Sequence, residues 1–316
     1  MFENRKVGIV VPAYNEEKLI SQVIETMPDA VDRIYVVDDA SRDATKEKVR
    51  PYETSMNGRV FLLEHSKNRG VGAAIVTGYR RALEDGMDMV GVMAGDAQMD
   101  PADLSKLLRP VARGEADYSK GNRLFSGEAW RIIPKVRYFG NAVLSLLTKI
   151  ASGYWHVTDS QSGYTVISRE ALADLPLEKL YTGYGFPNHF LVLLNIYNRR
   201  VTDVAVRPVY GIGEQSGMRV PKVIPRISWL LVKSFAWRLK EKYIIRDFHP
   251  LIFFLTFGFF LMAFGVALGL YCFYLRFTMG SIAAPAVIFS GFLIVTAMQS
   301  LLFAMWMDME YNKNLR

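Results

Sequence analysis

Short apolar runs and amphipathic stretches alternate along the first third of the chain. Residues 7–11 are apolar and β-branched, the pattern of a buried strand. Residues 17–27 place Leu19, Ile20, Val23 and Ile24 on one helical face. A second strand is predicted over 33–37, with Ser41 as N-cap of a helix running to Val49. A third strand, 60–63, leads to a helix ending near Leu83, and a fourth apolar run opens at Met89. This alternation predicts an α/β domain, a parallel sheet with helices on both faces. The far end differs. Residues 251–274 and 282–307 contain no charged residue. Each exceeds the roughly 20 residues that cross a bilayer, so the two predict a transmembrane hairpin.

Composition sharpens this division. The chain has 316 residues and is 51% hydrophobic, with the excess at the C-terminal end. Its net charge of +7 suggests an anionic partner, without separating nucleic acid from anionic lipid or nucleotide. The single cysteine, Cys272, excludes an internal disulfide and a cysteine-rich metal site. Residues 1–6 are charged and 7–11 are too short for a signal core, so no signal peptide is expected. Between Arg219 and Arg246 stand eight Lys or Arg residues against one acid, Glu241, interleaved with Trp229, Phe235, Trp237 and Tyr243. A basic amphipathic stretch with aromatics lies on an anionic membrane surface or grips RNA, and the hairpin behind it favours the membrane over nucleic acid.

Candidate chemistry sits where the strands end. Tyr14, Glu16, Asp38, Asp39, Asp96 and Gln98 all fall just past apolar runs. In open α/β sheets that edge is where ligands bind. A carboxylate and an amide oxygen two residues apart, Asp96 and Gln98, suit Mg2+ or Mn2+ that also takes phosphate oxygens, though a polar turn has the same look. Gly70 and Gly72 lack a full phosphate-loop spacing. His65, His156, His189 and His249 show no ligand spacing, and no Ser-His-Asp set is evident.

Four ordered motifs carry a resemblance. They are Pro12-Ala13-Tyr14-Asn15-Glu16, Asp38-Asp39-Ala40-Ser41-Arg42-Asp43, Asn68 with Gly70 and Gly72, and Asp96-Ala97-Gln98. Over about residues 5–215 the chain resembles the family-two glycosyltransferases of GT-A fold, and among them the polyprenyl-phosphate (dolichyl-phosphate) sugar synthases. The resemblance implies a GT-A, Rossmann-like catalytic domain over 1–218. Basic interfacial helices over 219–248 and the hairpin with its tail over 249–316 complete the organisation. It implies that Pro12, Tyr14, Glu16, Asp38, Asp39, Gly70, Ala97 and Arg219 hold the nucleotide sugar. Asp96 and Gln98 would hold the metal and diphosphate. The family usually carries Asp-x-Asp-x-Gln, and Ala94 stands at the first aspartate. Asp117 to Arg123 resembles the family's Gly-Ser-Arg segment, and Asp159-Ser160-Gln161-Ser162-Gly163-Tyr164 its Asp-x-x-Ser-Gly-Phe. Arg123 and Asp159 are therefore candidate catalytic residues. Arg123, Arg131 and Arg137 are candidates for an acceptor phosphate, since guanidinium binds phosphate bidentately. Arg131 and Arg137 could equally be a solvated basic face.

The implied reaction is inverting transfer of a hexose from a GDP- or UDP-sugar to polyprenyl or dolichyl phosphate. An anionic phosphate oxygen needs positioning and charge neutralisation more than a strong base. A transferase using a hydroxyl acceptor, with Asp159 as base, is the alternative enzyme. A degenerate nucleotide-sugar-binding membrane protein is the non-enzyme alternative. The basic flank and tail put the catalytic domain and both termini in the cytoplasm by the positive-inside rule. A homo-oligomer is left open.

Overall fold

In the computed structural model, residues 1–125, 135–209, 220–281 and 283–316 are described. The chain divides into two compact units, Met1–Phe235 with Leu315–Arg316, and Ala236–Asn314.

In the first unit β1 (Val7–Ala13), α1 (Ile20–Glu25), β2 (Arg33–Asp38), α2 (Thr45–Ser55), β3 (Val60–Glu64), α3 (Val71–Glu84) and β4 (Met89–Val92) follow the predicted alternation. They are succeeded by α4 (Leu104–Ala112), β5 (Tyr118–Asn122), α5 (Lys135–Ser152), β6 (Thr165–Ser168), α6 (Arg169–Ala173), α7 (Phe186–Ile196) and β7 (Val201–Ala205). The helix α8 (Val220–Lys240) begins in the first unit and its last residues, from Ala236, belong to the second. The seven strands form one sheet in the order β3-β2-β1-β4-β6-β5-β7. Strands β1, β2, β3 and β4 are parallel, with Ile9 opposite Ile34 and Gly91.

The sheet is mixed, which corrects the expectation of a parallel one. β6 runs antiparallel to β4 and to β5, with Val166 between Gly91 and Ser119. The chain returns to the sheet after α5 at the carboxyl edge and so enters β6 from that edge. This reversal positions the site. Residues preceding β6 share an edge with residues following β1, β2, β4, β5 and β7.

Two helix starts also differ from the periodicity. α1 begins at Ile20, because residues 16–19 make a turn in which the Glu16 carbonyl accepts from Leu19 and Ile20. α2 begins at Thr45 behind Ala44, and Ser41 instead accepts from the Asn15 amide at 2.9 Å. Val7, Ile9, Val11, Ile34 and Val36 are fully buried against Ile20, Ile24, Leu107 and Leu108. Each such side chain contributes about 1.5–3 kcal/mol on leaving water.

In the second unit α9 (Leu251–Met279) and α10 (Ala284–Tyr311) pack along their lengths. Both are long and apolar enough to cross a membrane. Small residues allow the approach, since a Cβ on Gly258 would stand 2.9 Å from Leu301. Ser290 donates to the Gly265 carbonyl and Ser300 to that of Phe254, so these hydroxyls are satisfied across the pair. Outward, Phe260, Phe273, Phe277 and Ile288 are exposed, a surface suited to lipid rather than water.

Candidate active site

Three turns at the carboxyl edge carry the signature residues, and each is held in a costly conformation. Asn15, Ala40 and Ala97 have φ of 58°, 61° and 56°. A left-handed non-glycine residue costs on the order of 1 kcal/mol and persists where its surroundings dictate it. Here the surroundings are a lattice of hydrogen bonds between the first two turns. Arg42 donates its amide to Asn15 Oδ1, Glu16 its amide to Thr45 Oγ1, and Glu17 its amide to Asp43. Burial disfavours the Asp43 carboxylate, but donors from Thr45 and Glu17 hold its pKa below the usual range. The polar residues after β2 thus brace the turn that presents Tyr14 and Glu16.

Tyr14 is exposed beyond β1, with its ring open to a stacking partner. Glu16 is half-buried. Burial, then the charges of Asp96 and Asp43, push its pKa up to about 7. Asp38 is fully buried; Oδ2 accepts from the Ser41 amide while Oδ1 has no partner among the described residues. Asp39 is 3% exposed and accepts from His65 Nδ1 at 2.7 Å and from the amides of Arg69 and Gly70 at 2.8 and 2.7 Å. Its carboxylate is spent largely on holding the segment after β3. Gly70 has φ 92°, and a Cβ there would meet the Thr182 carbonyl at 2.5 Å, so glycine is required by packing and by backbone angle together. Pro12 lies in β1 opposite Val37, and its carbonyl accepts from Gly95.

At the end of β4 the Gln98 amide bonds Asp96 Oδ1 at 3.1 Å across Ala97. Asp96 and Gln98 line a cleft of about 40 Å3 together with Arg123, Ser162, Tyr164 and Arg207. Arg123 follows β5 and grips Asp159 through Nε at 2.8 Å and Nη2 at 3.1 Å, while its amide bonds the same carboxylate. Asp159 is fully buried. Burial alone would raise its pKa, but Arg123 and Lys120 bring it below the usual carboxylate range. It is an ionised anchor for Arg123, poorly suited to act as a base. Arg131 and Arg219 lie outside the described residues. So does the side chain of Arg137, whose backbone is in α5.

The Glycosyl transferase family 2 model matches residues 8–175, more than half of the chain. The chain belongs to this family. A UDP-N-acetylglucosamine–dolichyl-phosphate N-acetylglucosaminyltransferase of Methanococcus voltae is 29% identical over 219 residues, covering 66% of this chain and 87% of the relative. An undecaprenyl-phosphate mannosyltransferase of Micrococcus luteus is 28% identical over 204 residues, covering 64% and 82%. Among solved structures, glucosyl-3-phosphoglycerate synthase of Mycobacterium tuberculosis, in complex with Mn2+, UDP and glucosyl-3-phosphoglycerate, aligns with a TM-score of 0.53 at 21% identity. That alignment covers 74% of this chain and 80% of the other. The family, the GT-A fold and the glycosyltransferase class expected from the sequence are all borne out.

Two basic residues of this glycosyltransferase escaped the sequence reading. Lys120 is fully buried in β5, and its ammonium donates to the Ser162 carbonyl. Burial pushes its pKa down to about 8, against the opposing charges of Asp159 and Asp203. A lysine inside a strand-length segment was the available signal. Arg207, just past β7, belongs to no motif and was reachable only through the sheet topology.

Proposed function

We propose that this glycosyltransferase moves a hexose from a nucleotide sugar to polyprenyl or dolichyl phosphate at the cytoplasmic membrane surface. One observation carries the reading: Arg123, locked by a buried carboxylate, shares a cleft with the oxygen donors Asp96 and Gln98. A guanidinium suited to phosphate beside oxygen donors suited to a diphosphate-bound ion supports the reading. The Methanococcus voltae and Micrococcus luteus relatives carry dolichyl and undecaprenyl phosphate in their names. Helices α9 and α10 would keep such a lipid's headgroup within reach.

In this reading Pro12, Tyr14, Glu16 and Asp38 bound the nucleoside, and Asp39 shapes that pocket through Arg69 and Gly70. Asp96 and Gln98 offer two hard oxygen ligands for Mg2+ or Mn2+, and Ala97 sets their turn. Asp96 and Gln98 would suit an ion that also takes oxygens from a bound diphosphate. When bound, the ion offsets charge on the departing diphosphate. Arg123 orients the acceptor phosphate. Its oxygen forms the new bond to the anomeric carbon as the bond to the diphosphate oxygen breaks, and the electron pair leaves with the nucleotide. Attack from the opposite face inverts the configuration, and no proton need be removed. A hydroxyl acceptor would require a base, and Asp159 is tied to Arg123 and ionised.

The test incubates membranes containing the full chain with labelled UDP- and GDP-sugars and either polyprenyl phosphate or diacylglycerol, with and without chelator. The expected outcome is chelator-sensitive label in polyprenyl phosphate alone. Label only in diacylglycerol, or in neither lipid with any donor, would overturn the proposal.

A further inference from the structure

We infer that Arg207 is a second phosphate-binding guanidinium of this cleft, set beside Arg123. The inference rests on the function proposed above and adds a residue that no motif supplied. Arg207 lines the same cleft as Asp96, Gln98 and Arg123. Its side chain is exposed, and no carboxylate lies within ion-pair distance of it among the described residues. An exposed, unpaired arginine is ordinary on a protein surface. This one differs in how its backbone is held.

Two contacts fasten its segment to the chain that follows Asp96 and Gln98, and a third fastens it to the end of β5. The Arg207 amide donates to Asp103 Oδ2 at 2.7 Å. Pro208 bridges to Met99, the residue after Gln98. The Val206 amide bonds the Asn122 carbonyl at 3.2 Å, next to Arg123. The Tyr164 hydroxyl, donating to the Asp100 carbonyl at 3.0 Å, ties the turn before β6 into the same loop. The starting points of both guanidinium side chains are thereby fixed relative to the Asp96 turn. Pre-set geometry of this kind lowers the entropy lost on binding an anion.

The charges also differ. Arg123 is engaged with Asp159 through two nitrogens and its amide, so much of its field is already balanced. Arg207 brings to the cleft a positive charge that no carboxylate among the described residues pairs. Transfer between a phosphate monoester and a nucleoside diphosphate gathers several negative oxygens in one place. A site with one half-neutralised arginine gains from a second, unneutralised one. The recognised chemistry is a phosphate oxygen, belonging either to the acceptor monoester or to the nucleotide diphosphate.

The experiment uses the full chain in lipid nanodiscs, as wild type, Arg207→Ala and Arg207→Lys. One arm measures binding of UDP and of GDP with Mn2+ by calorimetry. The other measures transfer rate against polyprenyl phosphate concentration. Arg207→Ala should fold normally, because the side chain is exposed, with unchanged melting as the check. We expect a loss of tenfold or more in one arm, partly restored by lysine. The first arm assigns Arg207 to the diphosphate and the second to the acceptor phosphate. Changes under twofold in both arms, in a folded variant, would overturn the inference. If wild type transfers nothing to polyprenyl phosphate, the proposed function fails on its own, while the nucleotide arm still decides for or against Arg207.

Discussion

Among the described residues two arginines fork onto a buried aspartate, one in each unit, and their surroundings differ. Arg123 and Asp159 meet beside a cleft, with the arginine side chain 24% exposed and the aspartate fully buried. Arg238, near the end of α8, and Asp308, near the end of α10, meet at 2.8 and 3.2 Å with the arginine fully buried. The second fork is enclosed. Tyr243 donates to Asp308, Asn312 donates to the Tyr243 oxygen, and Lys242 donates to Asn312 at 2.7 Å. One fork leaves its cation facing the cleft, and the other surrounds both partners with protein. The same pair of residue types therefore stands at an open cleft in one place, where we propose that it binds phosphate, and fastens helix ends in the other. Exposure on the arginine side marks the difference.

The sharpest way to break the comparison is to remove one acid from the enclosed fork. Asp308→Ala leaves Arg238 charged and buried without its aspartate, and should cost about 3–5 kcal/mol of stability. Replacing both partners, Arg238→Met with Asp308→Leu, should be close to neutral or stabilising. Thermal melting of the full chain in detergent reads both. Equal losses in the single and double variants would mean that the fork is not acting as a buried ion pair.

The open fork should respond differently. Asp159→Asn keeps the shape of the anchor and removes its charge, so Arg123 loses orientation while the fold persists. Displacement of a positioning group by about 1 Å costs up to about 100-fold in rate. The expected result is a 10- to 100-fold fall in transfer, with UDP or GDP affinity changed far less. Unchanged turnover would show that Arg123 does not need its anchor.

A smaller effect should come from restoring the missing family aspartate. Ala94→Asp adds a carboxylate beside Asp96, where Glu16 is already pressed toward its neutral form. The unliganded protein should lose up to about 1 kcal/mol through like-charge repulsion. Mn2+ binding with nucleotide should tighten about tenfold, or 1.4 kcal/mol. Stability and ligand affinity moving in opposite directions is the behaviour of an open site. Calorimetry and melting on one sample distinguish this from a variant that merely perturbs the turn.

Much of this architecture was legible before any coordinates. Apolar runs ending in Tyr14, Glu16, Asp38 and Asp96 mark parallel strands and their ligand edge, because strand burial and edge polarity are both local patterns. The antiparallel β6 was not legible. Thr165–Ser168, with only Val166 and Ile167 apolar, carries no direction, and direction is what brings Ser162 to the cleft and Asp159 to Arg123. Arg207 was hidden for the same reason: its role depends on where β7 sits in the sheet, and β7 is only partly buried. The Arg238–Asp308 fork joins positions seventy apart in sequence, each a charge at the end of a helix. A charge there reads as solvated until its partner is known.

A last test concerns Lys242, which belongs to the enclosed fork. Burial, reinforced by the charge of Arg238 and opposed by Asp308, pushes its pKa down to about 7. In the unfolded chain the group keeps its ordinary value, near 10.4. Between these two values the unfolded chain binds a proton that the folded chain does not, so stability rises with pH across that window. Below pH 7 both forms are protonated, and the cost of a buried ammonium is present in full and does not change further. Lys242→Met removes the titration while keeping an apolar stem of similar length. The melting temperature of wild type minus that of Lys242→Met should therefore climb from pH 7 to pH 9.5, other groups cancelling in the difference. A difference that stays flat over this range would mean that Lys242 reaches water in the folded protein and that the fork is less enclosed than its geometry indicates.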